Sequence, residues 1–302
     1  MIHGVMNVCK EKGYTSHDVV AVLRRITGQK KIGHTGTLDP DARGVLPVCL
    51  GKGTKLCELL TGEDKTYETV LLLGKVTDTQ DISGKVLAEQ CVDSLKVEEV
   101  EAAVFSFLGE YEQTPPMYSA LKVNGKKLYE LARSGQLVER KTRRVYITDI
   151  KLLEINLPRV RMKVTCSKGT YIRTLCHDIG EKLGLGGCME ELIRTRVGRF
   201  TMENSRTLEE IAHIFSDGEV SELLVPVDEM FDSAPRACVT DAWEKAARNG
   251  SSLPEDAAVC EKTLIDNERV RLYDREERFI ALYRWREKTG EYRLEKMFFP
   301  EI

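Results

Sequence analysis

The sequence predicts an α+β protein with a large first part and a small β-rich end. Apolar residues recur at helical spacing in some stretches and alternate in others, so helices and strands are interleaved. No internal repeat is present, and after about Pro235 the chain turns to short strand-like runs separated by polar turns. This divides it into residues 1–235 and 236–302. With 42% hydrophobic residues, 23 Gly and 9 Pro, the 302-residue chain can fill a core, which excludes a structureless protein.

Taken in order, Ser16 is expected to cap a helix whose Val19, Val20, Leu23 and Ile26 share a face, with Gly28 ending it. Val97, Val100, Val104 and Leu108 mark a second helix. A third carries Ile172, Leu175, Cys176, Ile179 and Leu183, closed by Gly184. Strands are expected at Thr66–Leu73, Val145–Ile155 and Arg159–Cys166. In the last, Val160, Met162, Val164 and Cys166 alternate with Arg159, Arg161, Lys163 and Thr165, which predicts a sheet with a cationic open face. Beyond Pro235, a short helix around Trp243–Arg248 precedes strands at Val270–Tyr273, Phe279–Trp285 and Tyr292–Phe299. These 65 or so residues are expected to support only a marginal core of their own.

The net charge of -3 excludes a bulk polycation but conceals strong segregation. Residues 121–200 carry 18 Lys plus Arg against 8 Asp plus Glu, a net of +10, between segments of -8 (61–120) and -10 (201–266). Such asymmetry points to one surface built for a polyanion. The expectation is a single basic cleft, with Arg159, Arg161 and Lys163 on the same side of the sheet as the reactive loop. Nine Cys without a C-x-x-C pair read as reduced thiols, and no signal-peptide or membrane-spanning run is seen, so a cytoplasmic location is expected.

The densest motif is GHTGTLDPDARG, Gly33 to Gly44. Three Gly and a Pro in twelve residues preclude a regular element, so His34, Asp39, Asp41 and Arg43 stand on a loop before the apolar run Val45–Leu50. Asp39-Pro40 suits a turn; chemically, Asp39 could be a lone nucleophile or base, or join His34 and Asp41 at a metal. In SKGTYIRTLCHDIG, Ser167 to Gly180, Arg173 falls at the edge of the apolar helix face, where a guanidinium can reach inward to a buried carboxylate. GKGTK at Gly51–Lys55 lacks the earlier Gly of a Walker loop.

GHTGTLDPDARG, Thr66-Tyr67-Glu68, QTPPMYSALKVNGKKLYELAR (Gln113–Arg133), SKGTYIRT (Ser167–Thr174) and ELIRTRVGRF (Glu191–Phe200), in that order, resemble the TruB-type tRNA pseudouridine synthases. The resemblance spans roughly residues 1–215. It implies a pseudouridine synthase fold, with a central mixed β-sheet flanked by helices, and a PUA or PUA-like C-terminal domain. It further implies isomerisation of uridine to pseudouridine at position 55 of the tRNA T-loop by a monomer without metal or cofactor. Matched position by position, Asp39 is the catalytic aspartate, Arg173 its paired arginine, and Tyr67 the tyrosine that stacks on the base near C5. Tyr171 and Leu192 line the pocket, and His34 occupies space beside the flipped nucleotide. Residues 122–144 match the RNA clamp, with Lys122, Arg143 and Arg144, joined by Lys10, as expected substrate contacts. One departure is Glu11 after Lys10, where the family usually has Pro. Two other classes compete with this reading: a non-catalytic RNA-binding or RNA-folding protein, and a metal-dependent hydrolase using His34, Asp39 and Asp41.

Overall fold

A computed structural model describes residues 1–298, apart from Asn124 and Leu137; Phe299, the expected end of the last strand, lies outside the described residues. Among the described residues the main sheet has ten strands, of which Ile32–His34, paired with Arg43–Leu50, and Phe200–Thr201, paired with Gly187–Val197, lie off its main path. Its path runs Leu224–Val225, Gly4–Lys10, Arg43–Leu50, Gly187–Val197, Lys65–Leu73, Arg159–Cys166, Arg143–Asn156, Gly109–Gln113. Nearly every pairing is antiparallel; the exception is Arg43–Leu50 with Gly187–Val197, where Ile193 meets Arg43 and Arg194 meets Gly44. That seam is what makes the sheet mixed, and it lies where the Gly33–Gly44 loop enters.

The Ser16–Thr27 helix buries Val19, Val20 and Leu23, as its spacing requires, and ends at Gly28 with φ 65°. Its cap is Thr15, whose hydroxyl accepts from Asp18 N–H while Asp18 reciprocates at Thr15 N–H. Ser16, expected to be the cap, is the first helical residue, because Thr15 has the partner three residues on. The freed Ser16 hydroxyl accepts instead from Leu38 N–H at 3.0 Å, tying this helix to the loop before Asp39. The Val97–Phe105 helix stops short of Leu108. The Ile172–Lys182 helix lays Ile172, Leu175, Cys176 and Ile179 against Val160, Met162, Val164 and Cys166 of the sheet.

Strand alternation settles the two faces. Tyr67 is opposite Val164 and Arg194, and Thr69 is opposite Met162 and Leu192, all on the face covered by the Ile172–Lys182 helix. Glu68, one residue over, is opposite Lys163 on the other face. Arg159, Arg161 and Lys163 therefore lie across the sheet from the loop that carries Asp39, contrary to expectation. Their charge is also engaged: Arg159 holds Glu190 at 2.7 Å, Arg161 lies 3.8 Å from Glu191, and Lys163 lies 3.6 Å from Glu68. The cationic open face is a ladder of ion pairs, because the neighbouring strands supply the acids.

A second sheet of six strands spans residues 236–297, around Tyr283, Trp285 and Tyr292. It does not rely on that core alone. Leu282 and Phe298 pack with Val5, Val45 and Cys49 of the main sheet, and Phe231 and Phe279 complete the aromatic joint. The two sheets thus share apolar burial. Among the described residues, no helix is long and apolar enough to cross a membrane.

Gly44 has φ +119°, and a Cβ there would run into the carbonyl oxygen of Arg194 across the parallel seam. Gly44→Ala is expected to cost more than about 2 kcal/mol. Urea unfolding checks this; a loss below about 0.5 kcal/mol would show that the seam has room.

Candidate active site

Contrary to expectation, Gly33 and His34 end a short strand, Ile32–His34, paired with Arg43–Leu50, and Arg43 and Gly44 begin the latter, because the backbone groups of that strand are there to pair with; only residues 35–42 between them are irregular, and their carbonyls need donors from elsewhere. Lys10, fully buried at the end of the first strand, gives its ammonium to Ala42 O (2.6 Å), Glu11 O (3.0 Å) and Pro40 O (3.2 Å). Burial pushes its pKa down to about 8, with the Asp39 charge pulling the other way. The expected RNA contact at Lys10 is replaced by a role inside the protein: the ammonium faces carbonyls and is shut off from solvent. Arg194 supplies the other side of the loop, donating to Val45 O (2.7 Å), Gly36 O (3.3 Å) and Thr37 O (3.4 Å).

Asp39 follows buried Leu38 and turns its carboxylate to Arg173, with Nε to Oδ2 at 3.0 Å and Nη2 to Oδ1 at 3.4 Å. The burial is the reverse of that expected. The guanidinium is 5% exposed and the Asp39 side chain 39%, so the cation is the interior partner and the carboxylate faces outward. Arg173 also donates to Tyr118 O (2.8 Å) and Thr79 O (3.0 Å), and lies 3.5 Å from Asp81. Asp81 is itself fixed by Thr79 Oγ1 (2.8 Å), Ser83 N–H (3.0 Å) and Ser83 Oγ. Desolvation by burial raises the Asp39 pKa; Arg173 opposes that rise and Asp81 adds to it.

Tyr67 is 7% exposed, and burial pushes its phenol up to about 12, against the pull of Arg194. Leu192 is half-buried in the same apolar cluster as Tyr67 and Leu38. Tyr171 precedes the helix that carries Arg173. Its backbone is gripped at both ends by buried Gln113, which accepts from Tyr171 N–H (2.7 Å) and donates to Tyr171 O (2.9 Å). The Arg143 guanidinium stacks over the Tyr171 ring, 4.7 Å from its centroid. His34 turns Nδ1 to Gly36 N–H at 3.4 Å and meets His17 edge-on. Burial first, then His17 and Arg194, lower its pKa.

The basic insert folds on a small cluster of Met117, Leu128 and Leu131, and exposes Lys122, Lys126, Arg133 and Lys141. Arg144 is exposed too, but sits 3.6 Å from Glu110 and 3.9 Å from Glu112 on the adjacent strand. Exposed pairs of this kind are worth about 0–1 kcal/mol and yield to a phosphate. Among the described residues, no three His, Cys, Asp or Glu side chains converge as a metal site would require.

Arg194, Asp81 and Gln113 were not singled out in the sequence. The available signal was alternation: Leu192 and Arg194 share the inward face of one strand, and an inward Arg needs an employer. Asp81 and Gln113 left no comparable trace, since their partners lie 92 and 58 residues away.

Comparison with known proteins gives the family of the chain. Residues 24–172 match the model of the TruB family pseudouridylate synthase N-terminal domain, and 173–232 the tRNA pseudouridylate synthase B C-terminal domain. The chain is 50% identical to tRNA pseudouridine synthase B of Lachnoclostridium phytofermentans, over 98% of this chain and 100% of that one. With its counterpart in Clostridium tetani it shares 45% identity, over 93% and 95%. Among solved structures it resembles a chain of an H/ACA RNP bound to a substrate RNA containing 2′-deoxyuridine, with TM-score 0.72 and 25% identity over 99% of this chain and 86% of that one. A Cbf5-Nop10-Gar1 complex gives TM-score 0.72 and 28% identity, over 99% and 85%.

Lys10→Met is expected to slow the reaction at least about tenfold by loosening the loop, without changing the salt dependence of RNA binding. A lost phosphate contact would instead flatten the slope of log K against log salt by about 1. Binding titrations between low and moderate salt separate the two.

Proposed function

The chain belongs to the TruB family of pseudouridylate synthases and isomerises uridine to pseudouridine in tRNA, and from that premise we propose that its target is position 55 of the T-loop and that Asp39 is the essential carboxylate. The observation that carries the proposal is the asymmetry of the Asp39–Arg173 pair. A guanidinium fixed from behind by Thr79, Tyr118 and Asp81 orients a carboxylate whose outer side is exposed.

The reaction breaks N1–C1′, rotates the detached uracil, joins C5 to C1′ and finally releases the C5 proton. Asp39 either attacks C1′ as the base departs or takes a proton from the sugar. Both routes need the ionised carboxylate. A uridine stacked in the folded T-loop must be extruded to reach it. Leu192 and Tyr171 would bound the pocket, Tyr67 would stack on the base near C5, and His34 would fill the side of the loop. Lys122, Lys126 and Arg133 on the insert, with Arg143 and Arg144 at its base, would meet phosphates and fix register. The enzyme would act in the cytoplasm as a monomer, using no metal or organic cofactor, with residues 1–235 as the catalytic domain and 236–302 as a PUA-like one.

Asp39→Asn is expected to bind tRNA within about threefold of wild type and to form no pseudouridine in a single-turnover tritium-release assay. Measurable turnover would remove Asp39 from the chemistry. Because the Asp39 pKa is raised by burial, the ionised form is lost on acidification earlier than for a carboxylate of ordinary pKa 3.8. The single-turnover rate should therefore fall with an apparent pKa above that value. A rate unchanged down to pH 4 would contradict this. Lys122→Ala with Lys126→Ala and Arg133→Ala should flatten the salt slope of tRNA binding by about 2 to 3, whereas Arg161→Ala leaves it unchanged.

A further inference from the structure

Among the described residues of 1–235, the buried charged side chains are Lys10, Lys65, Arg173 and Arg194. All are cations, and all lie in or around the Gly33–Gly44 loop. Three have an evident use. Arg173 orients Asp39, Lys10 closes the loop at Pro40 and Ala42, and Lys65 donates to Thr61 O and Glu63 O at the end of a short helix. Arg194 is 1% exposed and, unlike Arg173, has only backbone carbonyls and a phenol for partners. Burying a guanidinium without a carboxylate is costly, so this placement requires a reason.

The reason lies in what its fork joins. Nε donates to Val45 O on the strand that leaves the loop; Nη1 and Nη2 donate to Thr37 O and Gly36 O, two and three residues before Asp39. Arg194 is also the register partner of Tyr67, so the two buried side chains stand side by side on the inward face of adjacent strands, where the guanidinium charge pulls the phenol's pKa down against the effect of burial. Gly36 stands where a Cβ would be 3.7 Å from Nη1, so loop and guanidinium are in close contact.

We infer that Arg194 is a positioning residue for the isomerisation, with one guanidinium holding the segment that carries Asp39 and the side chain of Tyr67 in a common frame. The inference rests on the reading of Asp39 and Tyr67 given above. The reaction gives the frame its purpose: uracil detaches, turns and rejoins the sugar between the same two groups, so their spacing must survive while no covalent bond holds the base. A misplacement of about 1 Å can cost a hundredfold in rate.

The test compares Arg194→Lys, Tyr67→Phe and the double variant for single-turnover rate, tRNA affinity and thermal midpoint. Arg194→Lys should lower the rate about a hundredfold with affinity within about threefold. The double variant should lose at least about tenfold less than the product of the single losses, because both changes break one contact. Losses that simply multiply overturn the inference, as does a lower affinity with an unchanged rate.

The contact itself can be read without turnover by placing trifluorotyrosine at position 67, whose phenol titrates where the protein stays folded. Arg194→Gln should raise that titration; an unchanged midpoint overturns the inference, and this arm holds if Arg194→Lys does not fold. If Tyr67→Phe reacts as fast as wild type, the reading of Tyr67 fails instead, and the titration still reports on Arg194.

Discussion

A guanidinium can leave water only if its donors are met and its charge is answered, and Arg173 satisfies that condition by drawing separate segments to one point. Asp39 comes from the Gly-rich loop, Thr79 and Asp81 from the turn after the Lys75–Thr77 strand, and Tyr118 from the base of the basic insert. None of these segments is regular where it meets Arg173. Their geometry is set by the shared partner, which is carried on a helix packed against the sheet. The helix gives a fixed origin, and the irregular chain is ordered around it.

The same logic extends around the Asp39 loop. Lys10 binds its exit, Arg194 its entry, and Ser16 its middle through Leu38. The only parallel pairing of described strands in the main sheet adjoins it, and Gly44 lets Arg194 approach. A loop this rich in Gly would lose much conformational entropy on ordering. Buried cations on backbone carbonyls supply the compensating interactions and leave the Asp39 carboxylate partly exposed.

Charge segregation acquires a more detailed meaning in three dimensions. The +10 segment is divided among three uses. Arg159, Arg161 and Lys163 pair with acids on the far face; Arg173 and Arg194 are interior; Lys122, Lys126, Arg133 and Lys141 remain exposed on the insert. The last group presents exposed charge to a polyanion in the manner expected of the whole segment. A linear sum of charge cannot separate these uses, because it does not tell which cations face acids across the sheet, which are interior and which are exposed.

Much was legible in the residues themselves. Alternation located the Arg159–Cys166 strand to the residue, helical spacing found the faces of the first and third helices, and five ordered motifs identified the family. These are local signals, since side-chain period and backbone conformation are set by near neighbours. Which face of the sheet meets the loop, whether Lys10 faces RNA or carbonyls, and what a buried Arg194 holds were decided only by tertiary structure. Each depends on a partner tens to more than a hundred residues away, and burial turns the same charged side chain from a surface contact into an internal brace.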